Sequence, residues 1–421
     1  MSGTLRGLAV RFKVGVARKE PGGWLDNGNG GSNSSPSTPV SRLFRPGSIR
    51  ISSPSIHADQ GHGAERPPRR GGKLESLEVI RGIGALLVLL SHATVRISDS
   101  GMYGAPVLAN VFHFGHRGVE LFFSLSAFVI CLIHSRDVGH ANKVAIFAFR
   151  RFWRVYPLYW AVMLPLIPVL FAVPGMGFGY EREPLVLLQS LTLLPFAPVD
   201  KLPVLPVAWT LMYEILFYGA FAVVIAWPRA GWPLIIGWVA LFILKEATFP
   251  QIDNAPLQFL TKPVVACFLT GLAAFRWRGR LPLGVSVALG TVGTILFAVT
   301  GVVQSLTGAD IPYSPALFGL YSGAMILALF DLERAGRLSL PRWLIALGGI
   351  SYTLYLVHWP ALSLFQKLFI MAGATAWLNE LLAFGLFILG SVLAAIAVHL
   401  LLERKLLSSR RGMETRLLGH S

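Results

Sequence analysis

The sequence predicts an all-α protein, a polytopic membrane bundle of about ten transmembrane helices with both termini in the cytoplasm. Three observations carry that expectation. Hydrophobic residues make up 54% of the 421 residues and charged residues only 14%, against about 25% charge in a soluble chain. So little charge cannot give a chain of this length a water-compatible surface. The apolar residues fall into runs of roughly 17–25, the length that crosses a bilayer. The cations gather in alternate gaps between those runs, as the positive-inside rule requires. A mean hydropathy of +0.60 agrees. An ordinary soluble enzyme and a disordered protein are both excluded.

Residues 1–73 stand apart, with 13 Gly, 7 Pro and 10 Ser, and 12 Lys or Arg against 4 Asp or Glu. That composition cannot bury enough apolar surface to offset its ordering entropy. It lacks the continuous apolar core of a signal peptide. The expectation is a disordered basic cytoplasmic tail. Residues 74–405 then hold the membrane domain, and 406–421 a short cytoplasmic C-terminal tail. Spans are expected at 77–95, 118–134, 156–174, 207–227, 231–249, 256–275, 283–303, 314–331, 343–370 and 379–402. The stretch 185–199 is apolar but short, and it carries Pro195 and Pro198. A re-entrant or interfacial segment fits it better.

Charge tests the count. With the N-terminus inside, the cytoplasmic segments collect 29 of the 37 Lys and Arg and the opposite side 6, while Arg81 and Lys367 fall within spans. The net charge of +16 therefore reflects topology, and no nucleic acid is expected. Membrane lipids are the expected surroundings. Cys131 and Cys267 both sit in apolar runs, so no disulfide framework and no metal site is expected.

Ionisable residues inside a membrane are costly and mark functional candidates. Arg81 and His92 lie eleven residues apart in the first span. At about 100° and 1.5 Å per residue they share one face to within about 20° and stand about 16 Å apart. Glu120 opens the second span, Glu214 sits in the fourth and His358 in the ninth. With the alternation above, His92, Glu120, Glu214 and His358 converge on one depth in the outer half. A carboxylate beside an imidazole orients it and raises its basicity, the usual support of a general base. Arg150, Arg151 and Arg154 cluster on the cytoplasmic side before the third span. They read either as lipid-facing topology signals or as a forked clamp for phosphates. His113 and His116 read as solvated loop residues, His134 as interfacial, and Ser126 and Ser351 as helix-packing polar residues.

At these same residues the sequence resembles the membrane acyltransferase-3 family, the integral-membrane O-acyltransferases of bacterial surface polysaccharides. Leu77 to Ala85 followed by Ser91-His92-Ala93 is similar to the family's first-helix motif, an Arg with a His after ten intervening residues. Gly118 to Phe128 is similar to its second-helix motif. Phe149-Arg150-Arg151 with Arg154-Val155-Tyr156-Pro157 resembles its Arg-rich entry to the third helix. Trp209-Thr210-Leu211 through Glu214 and Phe217-Tyr218 resembles its Trp-Ser/Thr-Leu block, in the form of the exopolysaccharide acetyltransferase branch. Gly349 to Leu356 with His358 and Pro360 is similar to its late-helix motif. Glu120 stands where Asp is usual and Ala127 where Gly is usual.

The resemblance implies an enzyme of the cell inner membrane without a bound cofactor. It implies acyl-CoA, usually acetyl-CoA, as donor substrate and a glycan or polysaccharide hydroxyl as acceptor. Arg81, Arg150, Arg151 and Arg154 would bind acyl-CoA. His92 would act as general base or transient acyl carrier, oriented by Glu120 or Glu214, with His358 beside them. A transporter or flippase without acyl transfer fits the same buried charges. So does a same-family enzyme acting on a macrolide, lipid or peptidoglycan.

The charge asymmetry yields a direct test of topology. Reporter fusions after residue 110 and after residue 190 are expected to report the outside. A cytoplasmic signal at either position would overturn the ten-span map.

Overall fold

The computed structural model describes residues 74–99, 103, 109–173, 177–248, 255–309, 311 and 313–418. The expected tail, residues 1–73, lies outside them. Among the described residues the regular elements are helical, and ten helical runs are long and apolar enough to cross a membrane. The longer helices are α1 (Glu75–Asp99), α2 (Gly118–His134), α3 (Val144–Met163), α4 (Leu166–Ala172), α5 (Pro184–Thr192), α6 (Trp209–Ala226) and α7 (Pro228–Thr248). They continue with α8 (Ala266–Trp277), α9 (Leu283–Thr307), α10 (Ser314–Arg334), α11 (Arg342–Gly349), α12 (Ser351–Met371), α13 (Glu380–Val398) and α14 (Arg404–Leu418).

Two spans differ from the sequence expectation. The third run begins at Ala141 rather than near 156. Arg150, Arg151 and Arg154 therefore lie on the first turns of α3, inside the helix rather than ahead of it. Their long aliphatic stems tolerate that depth, and Arg is a good helix former. The expected span 343–370 divides at Ile350 into α11 and α12. The segment over 185–199 does not span: α5 covers nine residues, about 14 Å of helix. It ends on Leu193 in the left-handed region, φ 57°, and a proline-rich coil follows.

The pattern of exposure is that of a bundle in an apolar solvent. On α9, Leu289, Val292, Ile295, Leu296, Val299 and Val303 point outward. Polar groups turn inward, among them Ser91, Thr94, Glu120, Ser124, Ser351, Thr353, His358 and Glu403, all buried. With apolar lipid outside, helices associate through close backbone approach and buried polar contacts rather than through a hydrophobic drive.

Helix α1 shows both devices. Its first turn is closed by a carboxylate from α10: the backbone N–H groups of Glu75 and Ser76 donate to the two oxygens of Glu333 at 2.8 and 3.0 Å. That places a negative charge on the positive end of the helix dipole. One turn later α1 meets α11, where a Cβ on Gly348 would lie 2.0 Å from the Glu78 carbonyl oxygen. Only glycine permits that approach, which fixes the height of Arg81 in the bundle.

Helices α2 and α8 touch in the same way, since a Cβ on Gly271 would stand 2.0 Å from the Ser124 carbonyl oxygen. Gly271→Val must push the two helices apart. It is expected to lower unfolding stability in detergent by about 1–3 kcal/mol, the usual cost of overpacking. Gly237 has no neighbour within 4 Å of such a Cβ. Gly237→Val is expected to be near neutral in the same thermal melt.

Candidate active site

Two polar cavities lie within the bundle. One, of about 120 Å³, is lined by Arg81 from α1, Arg151 and Arg154 from α3, Glu214 and Tyr218 from α6, and Tyr352 from α12. The other, of about 400 Å³, is lined by His92, His116, Arg117, Glu120, Trp209 and Trp359 among others. Val119 and Tyr355 line both, so these two side chains form the shared wall. The Tyr355 hydroxyl is held there by the Thr210 hydroxyl at 2.7 Å and the Val207 carbonyl at 2.9 Å. Helix α1 supplies Arg81 to the first cavity and His92 to the second, about 16 Å further along its axis.

In the larger cavity the hydrogen bonds fix a tautomer. The Leu354 carbonyl can only accept, so His358 Nδ1–H donates to it, at 3.0 Å. The neutral ring then offers Nε2 as an acceptor, and His92 Nδ1–H donates to it at 2.9 Å. The two rings lie within 11° of parallel with centroids 5.1 Å apart, and Trp359 meets the His92 ring edge-on at 5.1 Å. His92 Nε2 is left with its lone pair and no protein partner among the described residues. A nitrogen so placed can take a proton from a hydroxyl.

The carboxylates are arranged differently from the sequence expectation. Neither Glu120 nor Glu214 is hydrogen-bonded to His92. The partner is His358, for which the one-depth argument gave no pairing. Glu120 pairs with Arg117 at 3.0 Å, and Arg117 reaches on to Ser314 at 2.7 Å. The other Glu120 oxygen, Oε2, is buried without a partner on the wall of the His92 cavity. Glu214 lies in the arginine cavity instead, where it accepts from Ser126 at 3.1 Å and from Tyr218. The expected cluster of four is thus three plus one.

The arginines divide too. Arg81 faces its cavity with Glu78 at 3.2 Å. Arg151 lies over the rings of Phe147 and Tyr218, and its Nε is buried without a partner. Arg154 lies over the Tyr352 ring, 5.0 Å from its centroid. Arg150 turns away and binds Glu414 of α14, with Nε at 2.8 Å. Arg150 and Arg151 are adjacent and so point about 100° apart, while Arg154, four residues after Arg150, falls between them. His116, expected to be solvated, lines the larger cavity. His134, expected at the interface, is fully buried and bonded to Asp137 at 2.7 Å. Ser126 serves Glu214 rather than only helix packing, while Ser351 donates to the Gly348 carbonyl at 2.7 Å.

Comparison with known proteins fits this site. A family model described as an acyltransferase domain, acyltransferase-3, matches residues 74–400. The chain belongs to the acyltransferase-3 family. It is therefore a multi-pass membrane acyltransferase by family. It is 30% identical over 327 residues to "Exopolysaccharide production protein ExoZ" of Rhizobium meliloti (strain 1021), covering 75% of this chain and 96% of that protein. No solved structure matches it significantly.

One group in this family member's site escaped the sequence reading. Glu403, at the end of a π-helical turn His399–Glu403, is buried and collects three contacts. It accepts from Thr353 and from His399 Nδ1, the latter at 2.6 Å, and stands 3.5 Å from Arg154. His399 and Glu403 are four residues apart and so share one face of the helix. In the sequence Glu403 abuts Arg404 at the end of an apolar run and reads as interfacial. The available signal was the His399 four residues before it.

Glu403 and Glu414 tie neighbouring arginines in different surroundings. Glu403→Ala strands Thr353 and leaves Arg154 without its carboxylate, at an expected cost of about 1–3 kcal/mol in thermal unfolding. Glu414→Ala breaks a more exposed pair and is expected to cost under about 1 kcal/mol.

Proposed function

We propose that the protein transfers an acyl group, acetyl in the simplest case, from cytoplasmic acyl-CoA to a hydroxyl of an exported polysaccharide. The observation that carries this reading is the pair of cavities. One is cationic, the other holds an unprotonated imidazole nitrogen, and they share Tyr355 and Val119. Coenzyme A carries phosphates at one end and a thioester at the other. The forked donors of Arg81, Arg151 and Arg154 suit phosphates. The pantetheine arm is on the order of the ~16 Å between Arg81 and His92 along α1. The charge asymmetry of the sequence supports an arginine end in the cytoplasm, where acyl-CoA is made, and an enzyme of the inner membrane suits that supply. The relative's name speaks of exopolysaccharide production, and this supports a glycan acceptor.

The step follows from the tautomer. The acceptor hydroxyl sits against His92 Nε2. As the oxygen attacks the thioester carbonyl, its proton passes to His92 Nε2. The imidazolium that forms keeps its Nδ1–H bond to His358, whose own Nδ1–H is anchored on Leu354. The carbon–sulfur bond then breaks, and the proton on His92 passes to the departing sulfur. An ester and free CoA result. His358 acts as a positioning residue: it holds the His92 ring with its basic nitrogen toward the cavity. A transporter has no need of a base held in one tautomer.

The two ends are expected to fail differently. His92→Ala should lower acyl transfer by about 10²–10⁴, the share of a general base, with acyl-CoA binding unchanged. Arg151→Ala should weaken acyl-CoA binding by about 1.5–3 kcal/mol, with Lys restoring only part. Binding and transfer are measured separately on folded, purified variants. Wild-type turnover in His92→Ala would remove the base. Loss of donor binding in His92→Ala but not in Arg151→Ala would reverse the two ends.

A further inference from the structure

We infer that the acceptor is held as at least two linked sugar units, the second in a subsite of its own beside the His92 cavity. This inference rests on the glycan reading above. A third cavity, of about 270 Å³, adjoins the larger polar one, and Leu202, Trp209 and Lys262 line both. Its remaining wall is built of prolyl and aromatic rings. Pro195, Pro198 and Pro203 come from the coil after α5, and Pro256 comes from the facing segment. Between them stand the rings of Phe196, Tyr213 and Phe259.

This wall has the chemistry of a sugar platform. A pyranose presents a flat C–H face and a rim of hydroxyls. Prolyl and aromatic rings offer flat apolar faces, and a prolyl residue adds no N–H that would demand a partner. The rim here is polar: Lys262 and Lys201 both border the cavity. The Lys262 ammonium lies 5.9 Å from the Trp209 ring centroid and has no carboxylate partner among the described residues. Such a junction favours a hydroxylated ligand over a lipid chain.

The platform is preformed. Tyr213 stacks on Phe259 at 4.2 Å, and its hydroxyl donates to the Phe259 carbonyl at 2.7 Å. Gln189 braces the proline coil, donating to the Lys201 carbonyl at 3.0 Å and accepting from Ala197 N–H at 3.2 Å. Proline fixes its own φ, so the coil loses little freedom on binding. Phe196 is the exception, 44% exposed and with no ring packed against it among the described residues. An aromatic left open on a rigid wall, next to the cavity that holds the base, is placed to stack on a ligand continuing from that cavity.

The test uses the full-length protein in nanodiscs, with labelled acetyl-CoA. The acceptors are one-, two- and four-unit oligosaccharides cut from the producing cell's own exported glycan. For the wild type, kcat/KM is expected to rise about tenfold or more from one unit to two, the scale of one apolar contact. Phe196→Ala should abolish that rise through KM and leave the one-unit acceptor and acyl-CoA binding unchanged. Phe196→Tyr should restore it. Phe196 is exposed, so its loss opens no core cavity, and the melting curve checks this. Lys262→Gln gives a second reading on the same length dependence.

Transfer that does not depend on length, or a Phe196→Ala effect equal on one unit and two, overturns the subsite but leaves the acyltransferase reading standing. Unchanged length dependence with loss of a co-purified phospholipid assigns the cavity to lipid and likewise overturns it. Absence of transfer to any acceptor overturns both the subsite and the glycan reading beneath it.

Discussion

The 2.9 Å hydrogen bond between His92 and His358 joins α1 to α12 and decides which nitrogen of His92 faces the cavity. Its direction is dictated from outside the pair, by a carbonyl of α12 that can only accept. In bulk water an imidazole would exchange tautomers freely. Inside the bundle one proton arrangement satisfies all three groups, and the price of any other is an unpaired polar atom in low dielectric. Helix α1 carries the consequence along its length. It is fixed by Glu333 at its first turn, by Gly348 one turn later and by His358 toward its far end. Arg81 and His92 are thereby held as two points on one rod.

Charge is sorted by the same constraint. Arg117 is matched by Glu120 on the wall of the His92 cavity. Arg81, Arg151 and Arg154 gather in the other cavity, with Glu214 satisfied by two hydroxyls rather than spent on a close ion pair. The arginines there keep donors for an anion. A single cavity holding all these groups would have neutralised carboxylate against guanidinium and left neither end selective. The side chains of Tyr355 and Val119 keep the two populations apart.

Much of this was legible in the sequence because lipid is an unforgiving solvent. Ten apolar runs gave ten membrane-length helical runs, and Arg81 and His92 were placed on one face by their spacing alone. The pairing of the outer groups was not legible. The expected common depth did not hold for Glu214, which bonds Ser126, six residues and about 9 Å along α2 from Glu120, in the cavity of the arginines. His358 was a candidate, but its role as the partner of His92 depends on how α1 and α12 rotate against each other. Adjacent arginines looked alike in the sequence, while helical rotation sent Arg150 to Glu414 and Arg151 to the cavity. Glu403 was hidden for another reason: it ends an apolar run beside Arg404, and its partners Thr353 and Arg154 come from other helices. The subsite beside α5 depends on a proline coil, whose path periodicity does not predict.

On the proposed mechanism, the acyl group enters from the arginine end and leaves from the histidine end, so donor and acceptor need never share a compartment. The most direct measurement uses sealed inverted vesicles carrying this protein, with exported-glycan oligosaccharide trapped inside and membrane-impermeant labelled acetyl-CoA outside. The account predicts alkali-labile label on the enclosed glycan, and none in vesicles carrying His92→Ala. Label that appears only when the oligosaccharide is on the same side as acetyl-CoA would contradict it.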